Sequence, residues 1–306
     1  MMNEAASIRT RLCIQPVVQR LKKLADPTRL RLVTLLGHGE LTVGEICRVL
    51  GQSQPRVSRH LRLLTEAGFL ARSREAQRVY YRTPSGCPPA GWLTELLALV
   101  DPEDPALQHD RVRLAIVVGE RRRCALNELG SCAPAELDQG ALAGVLHEEL
   151  GPVALGRLLD IGTGAGCMME MLAERADQAV GVDLSARALR LARARMHERA
   201  LARCEFHCGD MYALDFAACS FDTVTIDRVL AAADRPVAVL TEAARVLRRN
   251  GRVLVIERFD DIVACTGLNP LLGVRQWLTQ AGLKLTRLRP CNLANGSYLL
   301  ALGQPA

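Results

Sequence analysis

The chain has 306 residues, long enough for two domains, and almost half of them are apolar, so buried cores are within reach. No run of 18 or more uncharged apolar residues occurs, which predicts no membrane span. Charge is uneven: residues 9–82 hold 15 lysines and arginines against 5 acids, whereas residues 83–306 hold 24 against 27. A basic head on a mildly acidic body points to a polyanionic partner for the head, although surface arginines alone give the same count. The first residues lack the apolar stretch of a secretion signal, so a cytoplasmic location is expected. The 11 cysteines are scattered and odd in number. In a reducing compartment they read mostly as small buried hydrophobes or free thiols.

Pro16 predicts the start of a helix with Val17, Val18, Leu21 and Leu24 on one stripe. Asp26-Pro27-Thr28 breaks it and caps a second helix over residues 29–36, which Gly37-His38-Gly39 ends. Thr42 with Glu45 three residues on forms a capping box for a short third helix ending at Leu50-Gly51. Ser53 caps a fourth over residues 54–67, with Pro55 in its first turn, where a missing N–H costs little. Two short helices joined by Gly51-Gln52-Ser53 make a helix-turn-helix. In the fourth helix Val57, Leu61 and Leu64 share the inner face. Ser53, Gln54, Arg56, Ser58, Arg59 and Arg62 are left on a polar, basic face that fits a major groove. Phe69-Leu70-Ala71-Arg72, a turn over residues 73–77 and Arg78-Val79-Tyr80-Tyr81-Arg82 then predict a basic β-hairpin, with Arg78 a further DNA-facing candidate.

Three ordered stretches here carry a resemblance. Leu24-Ala25-Asp26-Pro27-Thr28-Arg29-Leu30, Ser53-Gln54-Pro55-Arg56-Val57-Ser58-Arg59-His60-Leu61 and Val79-Tyr80-Tyr81-Arg82 resemble the ArsR-type winged-helix repressors. The resemblance implies an α+β winged helix-turn-helix over residues 12–82, a double-stranded DNA operator and a homodimer. Many members sense metal through paired cysteines on the third helix. Thr42 and Gly44 stand where those cysteines would be, and Cys47 alone is too few ligands for a site. Metal and arsenic sensing is therefore not carried over.

Residues 83–156 read as a helical connector. Thr83-Pro84-Ser85-Gly86-Cys87-Pro88-Pro89 breaks regular structure, and residues 92–100 form a short apolar helix. Asp101-Pro102-Glu103-Asp104-Pro105 is another break before a longer helix over residues 106–129. This long helix is a candidate for dimerisation or domain coupling; a solvated linker is the plainer reading. A loop at 130–134 precedes a further helix over 135–150.

From residue 157 strand and helix patterns alternate. Strands are expected at 157–160, 178–183, 202–207, 220–226, 252–257, 283–289 and 297–303, which predicts an α/β, doubly wound parallel sheet. Asp160-Ile161-Gly162-Thr163-Gly164-Ala165-Gly166 closes the first strand, and a helix follows. A glycine-rich turn into a helix N-terminus lets backbone N–H groups approach a ligand. Asp183 ends the second strand, where an acid can accept ribose hydroxyls. Gly209-Asp210-Met211 follows the third strand, Phe221-Asp222-Thr223-Val224 leads the fourth, and Ala243-Ala244-Arg245-Val246-Leu247-Arg248-Arg249-Asn250-Gly251-Arg252-Val253-Leu254 supplies a helix, a turn and the fifth strand. Together these resemble the class I S-adenosylmethionine-dependent methyltransferases over residues 157–303. The resemblance implies S-adenosylmethionine or S-adenosylhomocysteine as the ligand. Asp160, Gly162 and Gly164 would hold its methionine part, Asp183 its ribose, and Leu184, Asp210 and Met211 its adenine. Asp227 would face the donor or acceptor.

The acceptor side is poorer in chemistry. The stretch 123–150 contains no Phe, Trp or Tyr, and Val229-Leu230-Ala231-Ala232-Ala233 is bland. No catalytic residue is assigned. Two functions follow: a regulator whose C-terminal domain binds the ligand as effector, or an active methyltransferase on a small-molecule acceptor with an autoregulatory head. Cys204-Glu205-Phe206-His207-Cys208 looks like a metal cluster on paper. On a strand its two cysteines lie roughly 13 Å apart, too far to share an ion.

Overall fold

The computed structural model describes residues 13–75, 77–84, 90–129, 139–201, 203–267, 269–293 and 296–306. The expected break at 85–89, the loop at 130–134 with Cys132, and the strand start at Ala202 lie outside them. The chain falls into two compact units, Met1–Val117 and Val118–Ala306.

In the first unit the helices are α1 (Ile14–Leu24), α2 (Pro27–Leu36), α3 (Val43–Leu50), α4 (Gln54–Glu66) and α5 (Ala90–Leu97), with the start of α6 (Pro105–Leu129). Local chemistry sets most of their ends. Asp26 accepts the Arg29 N–H and caps α2. Thr42 and Glu45 complete the capping box of α3 in both directions, a device that stabilises a helix start by about 1 kcal/mol. Gly51, at φ +64°, closes α3 in the left-handed conformation that glycine adopts without strain. Ser53 occupies the N-cap of α4 but makes no side-chain capping bond; Pro55 in the first turn favours the helix instead. Leu32, Val33, Ile46, Val49, Val57, Leu61, Leu64 and Phe69 form the core. Arg31 clamps Asp110 bidentately at 2.6 and 2.7 Å, fixing α2 to the start of α6.

Two expectations need correction here. The wing strands β2 (Ala71–Glu75) and β3 (Arg78–Arg82) run further than the sequence suggested, so residues 73–75 are strand rather than turn. A two-residue strand, β1 (Leu41–Thr42), pairs with Tyr80 and Tyr81 as a third member of the sheet. The α1 stripe is only partly buried: Leu24 packs inward, while Ile14, Val17 and Leu21 are exposed.

The second unit holds the rest of α6, then α7 (Gln139–Leu150), β4 (Gly156–Ile161), α8 (Cys167–Leu172), β5 (Ala176–Asp183), α9 (Ala186–Glu198), β6 (Cys204–Cys208), β7 (Phe221–Asp227), α10 (Pro236–Val246), β8 (Leu247–Arg258), α11 (Phe259–Thr266), α12 (Pro270–Gln280), β9 (Leu283–Leu293) and β10 (Gly296–Pro305). Its seven strands lie in the order β6-β5-β4-β7-β8-β10-β9. The first five are parallel. The sheet is not parallel throughout: β10 runs antiparallel to both β8 and β9. The turn expected before the fifth strand coincides with a register shift inside β8: β7 advances from Phe221 to Thr223 while its partner goes from Leu247 to Arg252.

Successive residues of β4 enter different cores. Leu158 joins Met168, Met169, Leu172, Leu189 and Met196 from α8 and α9, together with α7. Leu159 and Ile161 join Val239, Leu240, Ala243, Trp277 and Leu278 from α10 and α12. A strand buried on both faces needs an unbroken apolar run, which is what residues 158–159 begin and Asp160 interrupts. Each fully buried leucine or isoleucine contributes roughly 1.5–3 kcal/mol. This double packing holds the carboxyl ends of the strands rigid, and the loops of the cleft grow from them.

Candidate functional site

Two surfaces carry chemistry. On α4 the period of the helix separates Val57, Leu61 and Leu64, all buried, from Gln54, Arg56, Ser58, Arg59 and Arg62, all exposed. Ser53 is exposed at the start of the helix and Arg78 at the start of β3. Among the described residues Arg56, Arg59 and Arg78 have no hydrogen-bond or ion-pair partner, whereas Arg62 stands 3.9 Å from Glu66. Burial, and then the charges of Arg29, Arg56 and Arg59, hold the His60 imidazole below its ordinary pKa, with Asp26 pulling the other way.

The second surface is a cleft at the carboxyl ends of β4, β5, β6 and β7. The chain winds from β4 through β5 to β6 on one side and returns with β7 on the other. A crevice opens at such a reversal of strand order. Its volume is about 370 Å³, within the roughly 300–1,000 Å³ of small-molecule sites. Gly162 forms its floor, at φ +70°; a Cβ there would lie 2.4 Å from Val229 Cγ2. The loop after β7 therefore presses on the glycine turn, and only glycine fits between them.

Of the cofactor candidates, Gly162, Asp183, Leu184, Asp210 and Met211 line the cleft. Leu184 is 78% exposed at its mouth. Asp210 Oδ1 accepts the Tyr212 N–H at 2.9 Å, which fixes the turn after β6. Asp183 does more than the sequence suggested. Its Oδ2 accepts the Gly164 N–H and its Oδ1 the Ser185 N–H, both at 2.8 Å, so one carboxylate ties the glycine turn to the start of α9. Each oxygen keeps a second lone pair for a ligand hydroxyl.

Asp160, Gly164 and Asp227 lie outside this lining. Asp160 is 1% exposed. Its Oδ1 accepts the Thr225 hydroxyl at 2.7 Å, while among the described residues neither its Oδ2 nor the neighbouring Thr163 hydroxyl has a partner at hydrogen-bond geometry. Burial pushes the Asp160 carboxyl up to about 7, against the pull of Thr163 and Thr225, with the charges of Asp227 and Asp183 adding to the rise. Asp227 is paired with Arg228 at 3.1 Å, and burial raises its carboxyl too.

Sequence reasoning missed Arg228, Val229, Tyr212 and Glu257. Arg228 and Val229 line the cleft beside Gly162, and Tyr212 closes its other side. Glu257, 1% exposed at the end of β8, accepts the Val229 and Leu230 N–H groups at 2.8 and 2.5 Å and so fixes the loop that meets Gly162. Burial lifts its carboxyl to about 7, opposed by those backbone N–H groups and reinforced by Asp227. The available signal was position: each follows or ends a parallel strand, where sites in such sheets gather.

Fold and surfaces together define a winged-helix DNA-binding protein with an appended methyltransferase domain. Residues 26–72 match the model of bacterial regulatory proteins of the arsR family, and residues 159–255 match that of the methyltransferase domain. The chain is 34% identical over 119 residues to the arsenical resistance operon repressor of Escherichia coli, covering 38% of this chain and 95% of that one. It is 44% identical over 102 residues to the arsenic resistance transcriptional regulator ArsR1 of Pseudomonas putida, covering 33% and 77%. Its C-terminal part is 40% identical over 111 residues to the ubiquinone/menaquinone biosynthesis C-methyltransferase UbiE of Dinoroseobacter shibae, covering 35% and 44%. The chain belongs to the arsR family of bacterial regulatory proteins.

Proposed function

We propose that the chain is a transcriptional regulator whose C-terminal domain binds S-adenosylmethionine or S-adenosylhomocysteine as effector. The observation that carries this is the composition of the cleft. A glycine turn, an acid at the end of β5 and an acid-methionine pair after β6 converge on one crevice. The residues fit an adenosyl ligand: Asp183 offers free lone pairs to a ribose, Asp210 an acceptor to the adenine amino group, and Leu184 and Met211 apolar surface to its ring. The exposed face of α4, with Ser53, Gln54, Arg56, Ser58, Arg59 and Arg62, and Arg78 of the wing would meet the operator.

A homodimer suits this role. Ile14, Val17 and Leu21 of α1 and Val112 and Ile116 of α6 expose apolar side chains in the single chain, which a second copy would cover. Two such heads read half-sites about one helical turn apart. The long α6, whose start packs in the first unit and whose Ala125 packs against Ala165 and Leu191 in the second, is the coupling segment in this reading. Among the described residues no helix is long and apolar enough to cross a membrane. Arsenic sensing, named for the relatives, is not proposed: Thr42 is the cap of α3 and not a metal ligand.

The runner-up is methyl transfer to a small acceptor. The ligand when bound would supply an electrophilic methyl group. Against it stands the loop after β7, where Val229, Leu230 and Ala232 offer no base. Isothermal titration with both ligands, combined with operator-binding titrations with and without each, tests the proposal. Ligand binding that shifts operator affinity supports it; saturation of the protein with no shift in operator affinity overturns it. A labelled-methyl assay with product formed would favour the runner-up.

A further inference from the structure

The cleft is electrically polar. Its acids, Asp183 and Asp210, stand at the ends of β5 and β6, and its lining cation, Arg228, stands just beyond the end of β7. With strands about 4.8 Å apart, β6 and β7 are separated by three spacings, roughly 14 Å. That is room for a nucleoside at the acidic end with an extended tail reaching the basic end.

Arg228 is held there at a structural cost. Its φ is +55°, a conformation that side chains larger than glycine seldom adopt. Its N–H bonds to Ile256 O at 2.7 Å, which pins the strained residue to β8. Its Nε and Nη2 rest on the Asp227 carboxylate at 3.1–3.3 Å. Nη1 takes no part in these bonds, and the side chain remains 27% exposed. A turn alone would be met more easily by glycine. The arrangement aims a cation, oriented by Asp227, into the crevice with donors to spare, and a guanidinium fork suits a carboxylate.

Resting on the adenosyl-ligand reading above, we propose that Arg228 binds the α-carboxylate of the ligand's amino-acid tail, so that the cleft selects adenosyl amino acids over adenine nucleosides lacking that tail. Arg228 is then a specificity-determining residue, and Asp227 its positioning partner.

The test is a ligand-by-variant cycle read by isothermal titration. S-adenosylhomocysteine and 5′-methylthioadenosine, a thioether nucleoside without the amino-acid tail, are titrated into the full-length protein, Arg228→Gly and Arg228→Gln. Glycine accepts φ +55° without strain, and unfolding curves check that both variants are folded. The expected result is an affinity loss on the order of 10- to 100-fold for S-adenosylhomocysteine, as for a charged hydrogen bond removed, and less than about 2-fold for methylthioadenosine. Equal losses for both ligands, or none for either, overturn the assignment. If neither ligand binds the unaltered protein, the adenosyl reading of the cleft falls first and this inference with it.

Discussion

On α4, Arg56 and Arg59 stand exposed with no partner among the described residues. In the cleft, Asp183, Asp210 and Arg228 line the wall and each is tied to a partner of its own. The difference follows from the ligands proposed for them. A polyanion is held by neutralising many phosphates, so unpaired, solvated cations are the useful form of charge, and salt weakens it. A single small ligand gains from groups already fixed in place, because ordering them on binding costs affinity. On the proposed reading, one chain keeps its charges free where it would meet a polymer and braced where it would meet a small molecule.

The largest effect should come from filling the floor of the cleft. Gly162→Ala places a Cβ 2.4 Å from Val229 Cγ2 at a positive φ. Ligand affinity should fall by about 100-fold or more, measured by titration, with operator binding by the ligand-free protein kept. Retained ligand affinity would show that the β7 loop moves freely and that the braced cleft is wrong. Asp183→Ala comes next. It removes the acceptor for the Gly164 and Ser185 N–H groups as well as the proposed ribose contact. A loss on the order of 10- to 100-fold in ligand affinity is expected, again with ligand-free DNA binding unchanged. Loss of DNA binding in the absence of ligand would contradict the separation of the two surfaces.

Arg59→Ala on α4 should weaken operator binding by roughly 5- to 30-fold and leave the cleft untouched. If Arg59 meets a phosphate, the slope of log affinity against log salt should drop by about one; if it meets a base edge, the slope should stay and sequence preference relax. No change in either would remove α4 from the interface.

The smallest effect concerns pH. Asp160 and Glu257 are raised from 3.8 and 4.5 to about 7 by burial. Between those limits the folded chain binds more protons than the unfolded one, so stability falls as pH rises towards 7 and levels off above it. Asp160→Asn and Glu257→Gln keep acceptors for Thr225 and for the Val229 and Leu230 N–H groups without the charge. Urea unfolding at pH 5.5 and pH 8 should show each variant gaining about 2 kcal/mol over the unaltered protein at the higher pH relative to the lower. Equal gains at both pH values would mean that neither carboxyl is held protonated.

Much of this was legible because its causes are local. The Thr42 capping box, Gly51, and the alternation of buried and exposed residues along α4 are set within a turn or two of chain. The glycine turn after β4 shows itself by composition alone. What the sequence hid depends on distant partners. The two-residue β1 is fixed by a strand about 40 residues away, and β10, although it turns back on its neighbour β9, enters the sheet by pairing with β8 about 40 to 50 residues earlier. Asp183 braces Gly164 across 19 residues, and Glu257 holds Val229 across 28. The strain at Arg228 is set by its bond to β8, which no spacing rule reveals.

Coupling between the cleft and the DNA-binding head is read most directly from operator affinity as a function of ligand concentration, on the full chain at fixed salt. S-adenosylmethionine or S-adenosylhomocysteine should change operator affinity by about 5- to 150-fold at saturation, and Gly162→Ala should raise the ligand concentration needed for that change by about 100-fold or more. Operator affinity that stays constant while calorimetry shows the cleft saturated would contradict the coupling.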